Sequence, residues 1–355
     1  MNRVTIADVA REAGVSLMTV SRVMNDKGDV SDDTRQRVLA VVERMDYRPS
    51  GIARSLVTQR TGTIGLVVPD ISNPFFADVA RGVADAAYQE DYSVFLCSSD
   101  EDPERELEFV AALEEKRVDG LIVCSSRLSA DDLASALARH THVVLINRRA
   151  SASGAGAVLA DDEAGARMIL EHFVGSGHRT IAFLAGPAAS YSGMARLRGY
   201  RSVLEAAGVA YQPDLVMPCT PTAEGGSEAA KVLLARRPDI TALFCYNDLV
   251  AVGALRTCTR LALKVPDQIA IAGFDDIIIA ELVNPPLTTC RVPRYDIGLQ
   301  ANRLLLTQIN GEPCNGCETI LPVQLVVRAS APCLNDGEEE RRSCPTPNRS
   351  RSANP

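Results

Sequence analysis

The sequence contains no apolar run that approaches the roughly 18 residues needed to span a bilayer. Its apolar runs, such as residues 277–280, cover only a few positions. The amino-terminal stretch carries Arg3, Asp8 and Arg11 and lacks the apolar core of a signal peptide. We therefore expect a cytoplasmic protein that does not interact with membranes.

Motifs for catalysis and cofactor binding are also missing. No Gly-rich phosphate loop follows the first predicted strand, and there is neither a G-x-S-x-G elbow nor an H-E-x-x-H motif. The segment 154–156 lacks the third glycine of a dinucleotide-binding fingerprint. Cys314 and Cys317 have the spacing of zinc or redox cysteines, and Cys333 with Cys344 could complete such a site, but a surface turn explains the pair better. We expect no metal, no cofactor and no enzymatic activity.

The composition is that of an ordinary globular protein, with 46% hydrophobic and 23% charged residues in 355 positions. Four of the ten cysteines stand singly in strand-like runs, which predicts small reduced core residues. Those in such runs are Cys97, Cys124, Cys245 and Cys290. The formal charge is +2 over residues 1–60 and −10 over the remainder. An acidic protein can still bind nucleic acid through a small basic module.

Residues 1–48 have the pattern of three short helices. Thr5 and Asp8 form a capping pair that predicts a helix over Ile6–Ala13, and Ser16 is a suitable N-cap for a second helix ending near Met24. A third helix begins after Ser31, where apolar residues recur at helical spacing. Its expected core positions are Val38, Leu39, Val42 and Met45.

Two short helices joined by the turn at Gly14 predict a helix-turn-helix, whose second helix fits the major groove of DNA. The alternative is a small helical module without a DNA role. Arg22 can donate two hydrogen bonds to guanine, and Leu17 and Met18 suit thymine methyl groups. Other polar positions suit phosphate contacts. These are Thr5, Ser16, Thr19, Ser21 and Asn25.

The linker, residues 49–60, is too apolar for a simple tether and too short for an independently stable helix. We expect it to be disordered alone and helical when docked. Leu56 could unstack a base step in the minor groove, or pack between linker and core. The tail, residues 331–355, is expected to be disordered and contains no leucine heptad, which favours a homodimer over a tetramer.

Residues 61–330 alternate between strand-like and helical stretches, which predicts parallel sheets built from βαβ units. Ten predicted strands are more than a single open sheet of this length would be expected to hold. Two lobes with a cleft between them are therefore favoured. The predicted strands are 63–68, 93–98, 120–124, 143–146, 157–160, 180–185, 242–246, 269–274, 288–292 and 320–327.

Several motifs together resemble the LacI/GalR family of transcriptional regulators. They extend from Thr5 to about Arg328. The motifs are the run at residues 15–25, Tyr47-Arg48-Pro49 with Ala53-Arg54-Ser55-Leu56, Asp70-Ile71-Ser72-Asn73-Pro74-Phe75-Phe76, Gly273-Phe274-Asp275-Asp276 and Pro286-Leu287-Thr288-Thr289. The resemblance implies an N-terminal all-α helix-turn-helix headpiece and an α/β two-lobed core similar to type I periplasmic binding proteins. Leu56 matches the family's intercalating leucine.

The resemblance also implies an effector site in the cleft. The matching positions are Asn73, Phe75, Phe76, Arg148, Asp161, Arg196, Asn247, Asp248 and Asp275. Each follows a strand or lies on the next helix, where ligands of α/β sheets bind, and the set suits a sugar or nucleoside. Asn247 and Asp248 could instead cap a helix, and Asp161 could be structural. Pro221 and its neighbours stand where relatives often place an aromatic side chain.

We therefore expect a ligand-responsive DNA-binding regulator, most often a repressor in this family, that binds a pseudo-palindromic operator as a homodimer. The alternative is a soluble sugar-binding or sugar-processing enzyme with an incidental helical appendage. Loss of sequence discrimination in an Arg22→Ala variant would separate the two.

Overall fold

The computed structural model describes residues 4–24, 28–47, 60–149, 154–312 and 317–333. Within these ranges the first three helices form a small module at the amino-terminal end. The following residues form two α/β lobes. Residues 61–160 and 294–321 build the first, called the N-lobe, and residues 161–292 and 322–333 build the second, called the C-lobe.

The amino-terminal module consists of α1 (Ile6–Ala13), α2 (Leu17–Met24) and α3 (Asp32–Arg44). A capping box between Thr5 and Asp8 starts α1, as predicted, and Gly14 ends it in the left-handed region with φ 67°. The three helices share one small apolar core, as a helix-turn-helix requires. Its buried residues are Val9, Ala10, Ala13, Val20, Val23, Val38, Val41 and Tyr47.

One expected core position of α3 is wrong. Leu39 is 46% exposed, whereas Val41 is buried and Val42 packs partly against the core. The apolar stripe of α3 therefore runs through Val38, Val41 and Val42, at the three- and four-residue spacing of a helix face.

The N-lobe contains a six-stranded, wholly parallel sheet in the order β11-β5-β4-β3-β1-β2. Its central strands are buried on both faces, which explains their continuous apolar runs. The strands are β1 (Thr63–Val68), β2 (Ser93–Ser98), β3 (Gly120–Cys124), β4 (Val143–Ile146), β5 (Gly156–Ala160) and β11 (Glu318–Leu321). The helices are α4 (Pro74–Gln89), α5 (Pro103–Glu115), α6 (Ala130–Leu137) and α12 (Arg294–Ile309).

The C-lobe contains a four-stranded parallel sheet in the order β7-β6-β8-β9 and an antiparallel pair, β10 with β12. Its strands are β6 (Ile181–Gly186), β7 (Val216–Pro218), β8 (Ala242–Cys245), β9 (Ala270–Ala272), β10 (Thr289–Arg291) and β12 (Gln324–Val326). Its helices are α7 (Asp162–Gly175), α8 (Tyr191–Ala206), α9 (Ala223–Arg236), α10 (Asp248–Arg260) and α11 (Ile279–Leu282).

The chain passes between the lobes at three places: from β5 to α7, from β10 to α12, and from β11 to β12. The last passage corrects a prediction, because the single strand expected over 320–327 is two strands. β11 pairs in parallel with β5 of the N-lobe, whereas β12 pairs antiparallel with β10 of the C-lobe. Pro322, which has no N–H to donate, lies at the break.

The two helices that cover one face of the N-lobe sheet, α4 and α12, approach very closely. A Cβ added at Gly82 would lie 2.2 Å from the carbonyl oxygen of Tyr295, and one at Gly298 would lie 2.1 Å from that of Val79. The backbones can meet at this distance only because both positions lack a side chain.

Other expectations concern cysteines and membranes. Cys124, Cys245 and Cys290 are buried free thiols, as predicted, and Cys97 is half-buried. Within the described ranges, no helix combines the length and apolar character that crossing a bilayer requires.

Candidate functional site

The outer face of α2 carries exposed side chains of unlike chemistry. Leu17 is 52% and Met18 is 64% exposed, and Arg22, one turn later, is also exposed. Two adjacent exposed apolar side chains beside an arginine offer a partner both apolar contact and hydrogen-bond donors. A guanidinium and two apolar side chains on one face complement the acceptor atoms and methyl groups of a major groove.

The predicted phosphate-contacting residues surround this face. Thr5 and Ser16 are exposed, while Thr19 and Ser21 are half-buried. The Thr5 hydroxyl donates to Asp8 at 2.7 Å, and the Ser16 hydroxyl accepts the backbone N–H of Thr19 at 3.1 Å. These hydroxyls therefore cap their helices. Two predicted DNA contacts, Asn25 and Leu56, lie outside the described residues, as does most of the 49–60 linker.

The second candidate site lies between the lobes, beyond the carboxyl ends of their parallel strands. The lobes approach so closely that a cavity of only about 20 Å³ remains, enough for one or two water molecules. The structure brings six of the predicted effector residues to its wall. These are Asn73, Phe75, Phe76, Arg196, Asn247 and Asp275.

The N-lobe part of the wall is formed by the start of α4. The side-chain oxygen of Asn73 accepts the N–H of Phe75 at 3.0 Å and so caps the helix. The rings of Phe75 and Phe76 meet edge to face, with centroids 5.1 Å apart, and both are buried. This wall offers an apolar surface next to an amide.

The C-lobe part of the wall is organised around Arg196 on α8. Its guanidinium donates to Asp162 at 2.7 and 2.9 Å and to the carbonyl oxygen of Tyr246. It also lies 3.7 Å from the ring centroid of Phe274. The side chain is only 4% exposed. Such a buried charge is stabilised by its ion pair and its aromatic neighbours together.

Asp275 faces Arg196 but does not form a hydrogen bond with it. Its Oδ1 lies 3.6 Å from the guanidinium and has no hydrogen-bond partner among the described residues. Its backbone lies at φ 108°, a strained conformation for a residue with a side chain. Burial raises the pKa of the Asp275 carboxyl to about 7, although Arg196 and Arg294 oppose the shift. The structure therefore places an unsatisfied acceptor in the wall of the cleft.

This pKa has a consequence for stability. The carboxyl titrates near 3.8 when unperturbed and near 7 in the fold, so the wild type should lose stability as the pH rises between these values. Asp275→Asn cannot ionise. We expect its melting temperature, relative to wild type, to increase by several degrees from pH 5 to pH 8. Thermal melts followed by circular dichroism test this. If the melting temperatures of Asp275→Asn and wild type change in parallel with pH, the account is contradicted. The control variant Asp131→Asn, at an exposed position, should change in parallel with wild type.

Three predicted effector residues are not at the cavity wall. Arg148 donates to the carbonyl oxygen of Leu128 at 2.8 Å, and Asp161 caps α7 by accepting the N–H of Ala164 at 3.1 Å. Asp248 is fully buried and accepts from Thr289 and from the N–H of Ile277. Burial, reinforced by Asp275, raises the pKa of Asp248 well above its usual range. All three side chains are held by hydrogen bonds to other parts of the protein and not at the cavity wall.

Sequence reasoning missed several wall residues. The missed residues are Glu101, Ser125, Arg127, Asn147, Ser192, Pro221 and Tyr246. Ser125, Asn147 and Tyr246 each directly follow a strand, so the strand-end rule could have found them. Asn147 immediately precedes Arg148, the position that the family resemblance indicated. Pro221 lies where relatives often place an aromatic side chain. Tyr246, whose hydroxyl forms a 2.8 Å hydrogen bond with that of Ser190, supplies an aromatic ring to the wall instead.

The part of the chain with defined placement holds no group of three or more His, Cys, Asp or Glu side chains suited to a metal ion. Together, the fold and the two sites define a class of protein in which a helix-turn-helix DNA-binding domain is followed by a two-lobed small-molecule binding core.

Comparison with known proteins agrees with this class. Residues 5–50 match the family described as bacterial regulatory proteins, lacI family, and residues 61–329 match periplasmic binding proteins and sugar binding domain of LacI family. The chain belongs to the LacI family of transcriptional regulators.

Similar proteins match almost the whole chain. The transcriptional regulator DegA of Bacillus subtilis is 36% identical over 94% of this chain and 99% of its own length. A Lac repressor dimer bound to operator and the anti-inducer ONPF has a TM-score of 0.84, with 29% identity over 93% of this chain and 100% of that one. A complex of the regulator CelR with cellobiose has a TM-score of 0.71, with 32% identity over 92% and 100%.

Proposed function

We propose that this protein is a cytoplasmic homodimeric repressor, without enzymatic activity, whose operator affinity is controlled by a sugar or nucleoside in the interlobe cleft. Residues 1–48 form the DNA-binding headpiece, 49–60 a hinge helix, and 61–330 the effector-binding and dimerisation core. The tail expected over 331–355 begins only after Cys333, because Ala331 is buried in the C-lobe, and we propose that the remainder is disordered. The observation that carries the proposal is the exposed face of Leu17, Met18 and Arg22 on α2, in one chain with a polar cleft.

In this proposal each headpiece binds one half of a pseudo-palindromic site, because a two-fold symmetric dimer requires a two-fold symmetric operator. Arg22 reads guanine, Leu17 and Met18 contact thymine methyl groups, and the surrounding polar residues contact phosphates. Leu56 enters the minor groove. The effector changes the arrangement of the lobes. The free energy by which it can change operator binding equals the difference between its affinities for the two arrangements, typically about 1–3 kcal/mol.

The effector assignment is supported by the chemistry of the wall and by the relatives. An apolar ring surface beside amide, carboxylate and guanidinium groups suits a hydroxyl-bearing ring. The matching family is described by a sugar binding domain, and one structural relative is a cellobiose complex.

The DNA assignment is tested by replacing Arg22 with alanine. A bidentate contact to guanine is worth about 1–3 kcal/mol of discrimination, so affinity for a site selected from a random duplex library should fall about tenfold or more for each half-site. Affinity for unrelated duplex should change little. Mobility-shift titrations at constant salt measure both.

The matched control is Arg44→Ala, which removes the same charge from α3, where Arg44 pairs with Glu12. It should retain the preference for the selected site. Equal losses on selected and unrelated DNA in Arg22→Ala would contradict the base-reading role. Ligand binding by the core should survive both substitutions.

A further inference from the structure

Every charged side chain that lines the interlobe cavity has an electrostatic partner within the wall. The wall contains Glu101, Arg127, Arg196 and Asp275. The two arginines are the groups that could bind a phosphate or carboxylate, so their partners determine which ligand charge the cavity accepts.

Arg127 is fully engaged by its neighbours. Its guanidinium contacts both carboxylate oxygens of Glu101, through Nε to one and through Nη2 at 3.0 Å to the other. Its Nη1 donates to the carbonyl oxygen of Ser125 at 2.8 Å. The side chain is 6% exposed, and that of Glu101 is 24% exposed. A bidentate pair of this kind is broken only at considerable cost.

Arg196 is neutralised in the same way on the opposite lobe, by Asp162 at 2.7 Å and by Asp275 at 3.6 Å. Counting these partners, the cavity region carries two cations and three carboxyl groups. An incoming anion would therefore have to displace Glu101 or Asp162 and would then lie beside the displaced carboxylate.

The unsatisfied polar atoms of the cavity point to the opposite kind of ligand. Asp275 Oδ1 and Ser192 Oγ both lack a hydrogen-bond partner among the described residues, and both residues are buried in the cavity wall. A carboxylate oxygen needs a donor, and a serine hydroxyl can donate or accept. A ligand hydroxyl can donate to the ionised Asp275 carboxyl or accept from its protonated form, and it can satisfy Ser192 in either role, whereas a fully ionised phosphate oxygen fits only the protonated form of Asp275.

We propose that the cleft selects an uncharged polyhydroxyl effector, and that Glu101, by holding Arg127 in a closed ion pair, excludes its phosphorylated and carboxylated relatives. This inference rests on the proposed function, which places the effector in the cleft. Glu101 is a specificity-determining residue because it occupies the cation that an anionic ligand would need.

The experiment compares matched neutral and phosphorylated ligands on the full chain. The probes are D-ribose with ribose 5-phosphate, D-glucose with glucose 6-phosphate, and adenosine with adenosine 5′-monophosphate, each tested by thermal shift and titration calorimetry without DNA. Wild type should bind a neutral member at least tenfold more tightly than its phosphorylated partner. A preference for the phosphorylated member, or no binding of any neutral member, overturns the assignment.

The role of Glu101 is tested by Glu101→Gln, which frees Arg127 while retaining a side chain of the same length. The neutral-to-phosphorylated affinity ratio should fall at least tenfold, through tighter binding of the phosphorylated ligand. Asp100→Asn is the matched control, because it removes a charge from the adjacent residue, whose partner Arg105 lies outside the cavity wall. It should leave the ratio unchanged, and Glu101→Asp should keep the wild-type preference.

The possible failures are distinguishable. An unchanged ratio in Glu101→Gln rejects the role of Glu101, and the wild-type comparison stands even if that variant does not fold. Neutral-ligand selectivity without any preferred DNA site would reject the proposed function and leave the ligand class intact. A preferred DNA site together with selectivity for phosphorylated ligands would reject the ligand class and leave the proposed function intact.

Discussion

Replacing Arg196 by methionine is expected to lower the free energy of unfolding of the two-lobed core by about 3–5 kcal/mol. Methionine fills a similar volume but removes the cation that Asp162 and Asp275 share, and so leaves two neighbouring buried carboxyl groups. It also removes the donors to the carbonyl oxygen of Tyr246. Urea unfolding followed by far-UV circular dichroism is the suitable measurement, because the sequence has no tryptophan to report by fluorescence.

Two further variants separate the effect of burying the ion pair from the effect of removing one positive charge. Arg198→Met removes the same charge two residues later on α8, from an ion pair with Glu163 whose side chains are about half exposed. It should cost less than about 1 kcal/mol. Adding Asp275→Asn to Arg196→Met should recover part of the loss, because one of the two orphaned carboxyl groups is then neutral. Similar losses in Arg196→Met and Arg198→Met would contradict the buried ion-pair account.

Gly82→Ala is expected to cost about 3 kcal/mol, at the upper end of what overpacking a core usually costs. The added methyl group would lie 2.2 Å from the carbonyl oxygen of Tyr295 and 3.1 Å from the backbone nitrogen of Leu299. These are backbone atoms, so no side-chain rotation relieves the overlap and α12 must move away from α4. The same urea titration measures the loss.

Gly175→Ala is the control for Gly82→Ala. Gly175 ends α7, and a Cβ built there meets no atom within 4 Å. Its replacement should be neutral or stabilise by up to about 1 kcal/mol, because alanine favours helix over glycine. A destabilisation of equal size at both positions would show that the close approach of α4 and α12 is not the cause.

The sequence predicts regular elements best where burial is two-sided and the apolar run is uninterrupted. Three such strands of the N-lobe, β1, β3 and β4, have their predicted bounds. The edge strand β2 also has its predicted bounds, although Phe95 and Leu96 are exposed, because its apolar run is uninterrupted. In contrast, β7 was not predicted, because its three residues Val216–Pro218 are half-buried or exposed and form no apolar run. The strand expected over 320–327 is divided between two lobes, and only the tertiary partners of β11 and β12 reveal this.

The same contrast holds for the candidate effector site. Residues such as Asn73 and Asp275 could be predicted because they follow strands and match a family motif. Glu101 and Arg127 could not, since their relation depends on a side-chain contact between two loops 26 residues apart. Asn147 and Arg148 are the first and second residues after β4, and packing decides that Asn147 and not Arg148 faces the cavity.

The order in which the lobes are completed follows from the three passages of the chain between them. The N-lobe begins with β1, yet α12 and β11, which cover α4 and the outer edge of β5, come from residues 294–321. A nascent chain that ends before Arg294 therefore has most of the C-lobe but presents a bare helix face and an open sheet edge. Prematurely terminated products should therefore aggregate and be degraded quickly. The N-lobe, although it begins first, is complete only after the chain has been synthesised as far as Leu321.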